Sequence, residues 1–215
     1  MTQVYLENQA IRVNNIYCIG RNYVDHIAEL KNETPSEPVV FMKPNNSILQ
    51  SGSTICLPRY SQSVHYECEL VLLIGADSDD AGDNPAHLIA GYGIGLDLTA
   101  RDVQSRLKEK GLPWTKAKGF RGAACVSDFI AADKLGDAQD CTFTFRVNGE
   151  VRQLGKTALM IYPIEAILRE LSASYGLKAG DVVFTGTPAG VGELHSGDKL
   201  ELDLAGAVQA RFEVA

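Results

Sequence analysis

The 215-residue sequence predicts a strand-rich α+β fold, with residues 1–215 forming a single domain. Three observations carry this expectation. Eight runs of alternating or continuous apolar residues read as strands, against three helical patterns. Asn148-Gly149, between "TFTFRV" and "EVRQLG", is a two-residue hairpin signal, because both positions tolerate positive φ. A hydrophobic share of 45% with 22% charged residues can fill one core.

The strand-like runs cover residues 16–20 (IYCIG), 39–42 (VVFM), 65–75 (HYECELVLLIG), 91–99 (GYGIGLDLT), 142–147, 181–186, 198–204 and 208–214. Helical patterns fall at 22–31 (NYVDHIAELK), 100–110 (ARDVQSRLKEK) and 163–174. Pro163 suits a first helical position and Gly176 follows the end of the last helix. Ile164, Ile167, Leu168 and Leu171 repeat at i, i+3, i+4 and i+7, so that helix packs on the sheet. Thr99, with Asp102 three residues on, approximates a capping box for the second helix. A Gly turn followed by alternating apolar residues recurs in "SGSTICL", "AGDVVFTG" and "SGDKLELDL", which suits a rolled β structure.

Composition excludes several classes. A formal charge of −7 and a pI near 5.1 argue against a nucleic-acid partner, while an anionic small substrate would need locally placed cations. Nothing resembles an export signal or a membrane span, so a soluble, cytoplasmic protein is expected. Five scattered cysteines without a C-x-x-C pair fit reduced thiols. The loop "GADSDDAGDNPA" imitates a calcium loop at Asp77 and Asp79, but Ala81 and Leu88 occupy positions that need ligands, and it reads as a solvated loop.

The chemistry concentrates elsewhere. Strand alternation puts His65, Glu67 and Glu69 on one face and Tyr66, Cys68 and Leu70 on the other. Two charges ~6 Å apart repel by on the order of 3 kcal/mol at an effective dielectric near ~20. Asp97 closes a Gly-punctuated strand, and with Glu67 and Glu69 it would supply three hard oxygen ligands, suited to Mg²⁺, Mn²⁺ or Ca²⁺. His65 keeps a zinc reading open, and an E-x-E pair also suits a solvent-facing edge. His26 and Glu29 stand at i, i+3, where a carboxylate orients an imidazole as a general base; a surface ion pair has the same spacing. Arg101, Gln104 and Lys108 share one stripe of the second helix. Lys43 and Lys118 sit among apolar neighbours and would neutralise a substrate carboxylate or enolate, or else snorkel to the surface. "GYGIGLD" and "GTPAGVGE" lack the residues of nucleotide-binding loops, although the turn "FTGTPAGVG" can offer N–H groups and the Thr187 hydroxyl to an oxyanion.

Taken in order, "GRNYVDHIAE", "EPVVFMKP", "HYECELVLLIG", "GLDLTARDVQ", "GLPWTKAKGF" and "DVVFTGTPAGVG" resemble the fumarylacetoacetate hydrolase family over about residues 16–214. The likeness is to its short single-domain branch of acylpyruvate hydrolases and oxaloacetate decarboxylases. The resemblance implies a mixed β-sheet roll or sandwich with flanking helices, a homodimer, and Mg²⁺ or Mn²⁺ on Glu67, Glu69 and Asp97. It implies that the helix at 22–31 is a lid whose His26 and Glu29 hold a water. Lys118 and Gln104 are expected beside the reacting atoms, with Arg21, Lys43, Arg101 and Thr187 binding substrate. Tyr23, Ile27, Leu30 and the loop after Lys43 are expected to set specificity. The implied reaction is metal-dependent carbon–carbon hydrolysis of an acylpyruvate, a small anionic 2-oxo acid, through a pyruvate enolate. Oxaloacetate decarboxylation, keto–enol tautomerisation and dienoate isomerisation or hydration share the same machinery.

Overall fold

The chain, seen as a computed structural model, is described over residues 2–29, 33–78 and 84–215. Its central sheet runs in the order Val39–Lys43, Ile16–Gly20, Val182–Phe184, Cys68–Ile74, Ile89–Asp97, Ala124–Val126 and Ile48–Gln50, with Ile130–Ala131 also paired to Ile89–Asp97. The sheet is mixed: Ile16–Gly20 pairs in parallel with Val182–Phe184, and Ala124–Val126 with Ile48–Gln50, while the other pairings are antiparallel. Its two outermost strands, Val39–Lys43 and Ile48–Gln50, are joined by residues 44–47 alone. A link that short forces the sheet to curl until its edges meet.

Period-2 alternation then sorts side chains to two cores. Ile16, Cys18, Val71, Leu73 and Phe184 face the inside of the curl. Cys68, Leu70, Leu72, Ile94 and Leu96 face outward into a larger core. That core is closed by a five-stranded sheet, in the order Glu150–Lys156, Thr142–Val147, Lys199–Leu204, Val208–Val214 and Thr54–Ile55, and by the helix Ile164–Tyr175. Ile164, Ile167, Leu168 and Leu171 are all buried, each contributing about 1.5–3 kcal/mol. The interior of the curl is tight where Ile89–Asp97 crosses it. A Cβ on Gly95 would lie 2.4 Å from the Cys125 carbonyl oxygen and 2.9 Å from Phe184. The alternating glycines of "GYGIG" thus serve close packing, not a phosphate.

Several expectations are corrected. The run 65–75 is not one strand: Val64–Tyr66 lies in a three-stranded sheet between Thr99–Ala100 and Gly192–Glu193, and Cys68–Ile74 starts afresh after Glu67. The ladder breaks where the Cys68 N–H donates to the side chain of Gln153. The first helix is Val24–Glu29; Leu30 and Lys31 of the expected 22–31 lie outside the described residues, as do Asp79 and Ala81 of the acidic loop. Pro163 is the N-cap of its helix, one residue before the expected position, and Gly176 caps the other end with φ 70°. No capping box forms at Thr99: the N-cap of Arg101–Glu109 is Ala100, and Asp102 accepts instead from Ser61 Oγ and Gln62 N–H. The N-terminal hairpin Gln3–Leu6 with Gln9–Arg12 carried no hairpin dipeptide; Glu7 and Asn8 turn it at positive φ. At the other hairpin Asn148 and Gly149 have φ 52° and 83°, as the dipeptide predicted. All five cysteines are free thiols, four of them buried. Among the described residues no helix is long and apolar enough to cross a membrane.

Candidate active site

The sheet ladder brings the three acids together. Asp97 N–H donates to the Glu67 carbonyl at 2.8 Å, and Glu69 stands opposite Gly95, so Glu67, Glu69 and Asp97 project from neighbouring positions of one face. Their oxygens lie within 4.8 Å of one another, and all three residues are buried. At an effective dielectric of ~20 each like-charged pair costs about 3.5 kcal/mol.

Two buried lysines and an arginine offset part of this. Lys118, on the short helix Thr115–Lys118, places Nζ 2.6 Å from Glu67 Oε2 and 2.7 Å from Asp97 Oδ2. Arg101 Nη2 reaches Glu67 Oε1 at 2.5 Å. Burial disfavours the Glu67 charge, but Lys118 and Arg101 outweigh it and hold that carboxyl well below its ordinary range. Burial likewise opposes the charge of Lys118, yet Asp97 and Glu67 raise its pKa, so it stays an ammonium and acts as a donor, not a base. Among the described residues no cation is ion-paired with Glu69. Its carboxylate accepts the Gly186 N–H at 2.7 Å, and burial, then Asp97 and Glu67, push its pKa well above the ordinary range.

Lys43 crosses the inside of the curl, bringing Nζ 2.6 Å from Asp97 Oδ1. It also donates to the carbonyls of Leu98 and Lys118, which fixes the ammonium beside Asp97. Three buried carboxylates converging within 4.8 Å form an all-oxygen donor set that fits a hard divalent cation such as Mg²⁺ or Mn²⁺ and not a thiolate- or imidazole-seeking metal. His65 is not in the set; its Nε2 meets Ser63 Oγ at 3.1 Å in the three-stranded sheet.

A pocket of about 40 Å³ opens on this cluster, lined by Glu67, Glu69, Asp97, Lys118 and Thr187 together with Arg21, His26, Arg101, Gln104 and Lys108. Arg101 Nη1 donates to Gln104 Oε1 at 2.8 Å. His26 Nδ1 lies 3.3 Å from Glu29 Oε2, and the Gly190 N–H donates to the same carboxylate. With Nδ1 facing a carboxylate, the basic lone pair falls to Nε2. Burial lowers the His26 pKa, opposed by Glu67 and Glu29, so the ring is neutral near pH 7.

Some expected roles do not match these positions. Lys43 is buried behind the acids and is not part of the pocket wall; the surface-lysine alternative fails as well. The Thr187 hydroxyl lines the pocket, but its proton is given to the Cys68 carbonyl at 2.8 Å while Gln153 Nε2 donates to its oxygen. The Gly186 N–H serves Glu69 and not a substrate oxyanion. Tyr23 and Ile27 are core residues, the loop after Lys43 does not line the pocket, and Leu30 lies outside the described residues. The sequence reading missed the apolar wall of Ile19, Phe41 and Trp114; Phe41 two residues before Lys43 and Trp114 four before Lys118 were its only signal. It also missed Asn22, which is buried and ties the turn before His26 to Tyr162 and Thr185.

A curled mixed sheet with a buried Glu-Glu-Asp cluster at one end describes a class of enzyme fold, and comparison with known proteins specifies it. Residues 15–215 match the fumarylacetoacetate (FAA) hydrolase C-terminal family, and the chain belongs to that family. It is 46% identical over 196 residues to the oxaloacetate tautomerase YcgM of Escherichia coli, covering 90% of each chain. It is 41% identical over 201 residues to the mitochondrial oxaloacetate tautomerase FAHD1 of Homo sapiens, covering 93% of this chain and 91% of that one. Among solved structures, a fumarylpyruvate hydrolase from Pseudomonas aeruginosa in complex with Mn²⁺ and pyruvate superposes with a TM-score of 0.91 at 30% identity, over 100% of this chain and 97% of that one. The expected family and strand-rich fold are borne out.

Proposed function

We propose that this chain is a Mg²⁺- or Mn²⁺-dependent enzyme that forms and stabilises the enolate of a small 2-oxo acid, with keto–enol tautomerisation of oxaloacetate as its reaction. The observation that carries this is the buried cluster of Glu67, Glu69 and Asp97 beside a permanently charged Lys118 and a neutral His26. Relatives named oxaloacetate tautomerase at 40–46% identity put this reaction ahead of the carbon–carbon hydrolysis that the sequence suggested first.

When bound, a divalent cation supplies Lewis-acid polarisation of the 2-oxo carbonyl. Glu67, Glu69 and Asp97 would hold it. Arg101 and Gln104 orient the substrate's oxygens, and the one Lys118 N–H not given to Glu67 or Asp97 donates to the oxygen on which charge develops. His26 takes the proton from C3 at Nε2 while Glu29 fixes the ring, and a proton is returned to the 2-oxo oxygen, so no atom is gained or lost.

Hydrolysis of acylpyruvates is the second reading, favoured by the His26–Glu29 pair, which also suits the activation of a water. In that reaction water adds to the distal carbonyl, the carbon–carbon bond breaks, and the pyruvate enolate takes up a proton.

The experiment follows loss of the enol absorbance of oxaloacetate, acetylpyruvate and fumarylpyruvate, with released pyruvate assayed in parallel, in Mg²⁺ and in EDTA. Metal-dependent loss of the oxaloacetate enol without pyruvate is the expected result. Pyruvate from an acylpyruvate at a faster rate would replace it with the hydrolase reading, and no turnover of any 2-oxo acid would overturn both.

A further inference from the structure

Two cations in the pocket wall have no role in the chemistry above. Lys108 is half-buried in the pocket wall, its Nζ 5.2 Å from the centre of the Trp114 ring. Arg21 lines the same pocket, with its Nε buried and unpartnered and its Nη1 only 3.4 Å from the Glu33 carbonyl. Among the described residues neither makes an ion pair with a carboxylate, whereas Lys118 and Arg101 are both paired. Arg21 moreover holds φ at 58°, a left-handed conformation that costs a non-glycine residue free energy and recurs where a side chain must be aimed. Burial, then Arg21 and Arg101, depress the Lys108 pKa, which places the three cations in one field.

Their placement is graded. On the helix Arg101–Glu109, Arg101 touches Glu67, Gln104 receives Arg101, and Lys108 stands one turn farther, about 6 Å along the axis. Side chains lean toward the helix N-terminus, so Lys108 reaches back over the pocket. A 2-oxo acid with its first carboxylate at the acidic cluster directs whatever lies at its other end toward this pair. With Glu67 and Asp97 already paired by Lys43, Lys118 and Arg101, a second negative charge on the ligand is what Lys108 and Arg21 lack.

We propose that Lys108, together with Arg21, is a subsite for the distal carboxylate of a dicarboxylic 2-oxo acid and makes this pocket select dianions over monoanions. The inference rests on the reading of the site as one for 2-oxo acids and names which of them it takes. The competing role for Lys108 is packing on Trp114.

The test is calorimetric binding, in Mg²⁺, of two stable probes of equal chain length that differ only in the distal carboxylate, 2-oxoglutarate and 2-oxopentanoate. Wild type should prefer the dianion by about 10- to 100-fold, the scale of one or two charge-assisted hydrogen bonds. In Lys108→Met the preference should collapse toward one, and Lys108→Arg should restore most of it. A wild type that binds the two probes equally, or binds neither, overturns the proposal; so does a Lys108→Met variant that loses both in proportion, the signature of packing. If the preference is present but no 2-oxo acid is turned over, the subsite stands and the proposed reaction fails.

Discussion

Replacing Glu69 with Gln should separate the cost of the acidic cluster from its purpose. In the metal-free protein Glu69 faces Glu67 and Asp97 with oxygens within 4.8 Å, a repulsion of about 3.5 kcal/mol per neighbour if it were ionised. Burial and its two acidic neighbours raise its pKa and so favour the protonated acid, to which Gln is close in shape while keeping an acceptor for the Gly186 N–H. In acid, where Glu69 is protonated in the folded and unfolded states alike, metal-free stability should therefore change by less than about 1 kcal/mol. The folded-state pKa lies above the unfolded one, so the stability gained from the protonated form is full below the unfolded value and is lost as pH rises through the folded value. Glu69→Gln removes that loss and should be the more stable form on the alkaline side. With Mg²⁺ at a hundredfold excess over its Kd, wild type gains about 2.7 kcal/mol. For a chain of this length that raises Tm by about 5–10 °C. Differential scanning calorimetry with Mg²⁺ and with EDTA reads both effects. A Glu69→Gln variant showing the same Mg²⁺-induced rise as wild type would refute the assignment of Glu69 as a ligand.

Three further outcomes are expected. The kcat/KM for the enolate-forming reaction should rise with pH through the His26 ionisation, with its acid limb below the ordinary imidazole value of 6.5 because burial favours the neutral ring. Glu29 raises that pKa, so Glu29→Gln should move the limb lower still, and a limb above 6.5 in a pH–rate profile would exclude His26 as the base. Asn22→Ala removes two donors and one acceptor from the backbone of Tyr162 and Thr185; chemical denaturation should show a loss of about 3 kcal/mol, with kcat falling alongside because the turn before His26 is released. Gly95→Ala sets a methyl against the Cys125 carbonyl and should cost about 1–3 kcal/mol, with displacement of Asp97 two residues on visible as weaker Mg²⁺ binding in titration calorimetry.

The sequence by itself determined the elements and the set of acids. Period-2 runs marked the strands around both cores, Asn148-Gly149 marked its hairpin, and the helix Ile164–Tyr175 showed its buried face, because these signals are local to a few residues. The E-x-E spacing and the Asp97 strand end named the cluster for the same reason. Which charges meet was decided only by the tertiary structure. Lys43 and Asp97 are brought together because the curl folds an edge strand over the interior, a contact that neither local pattern records. The unlike states of Glu67 and Glu69 have the same origin, since Lys118 and Arg101 arrive beside one of two otherwise equivalent acids. Thr187 likewise could be read as an oxyanion donor until the fold placed the Cys68 carbonyl within reach of its only proton. Periodicity is a property of neighbours in the chain, whereas protonation and donor capacity follow from burial and partners that arrive from distant strands.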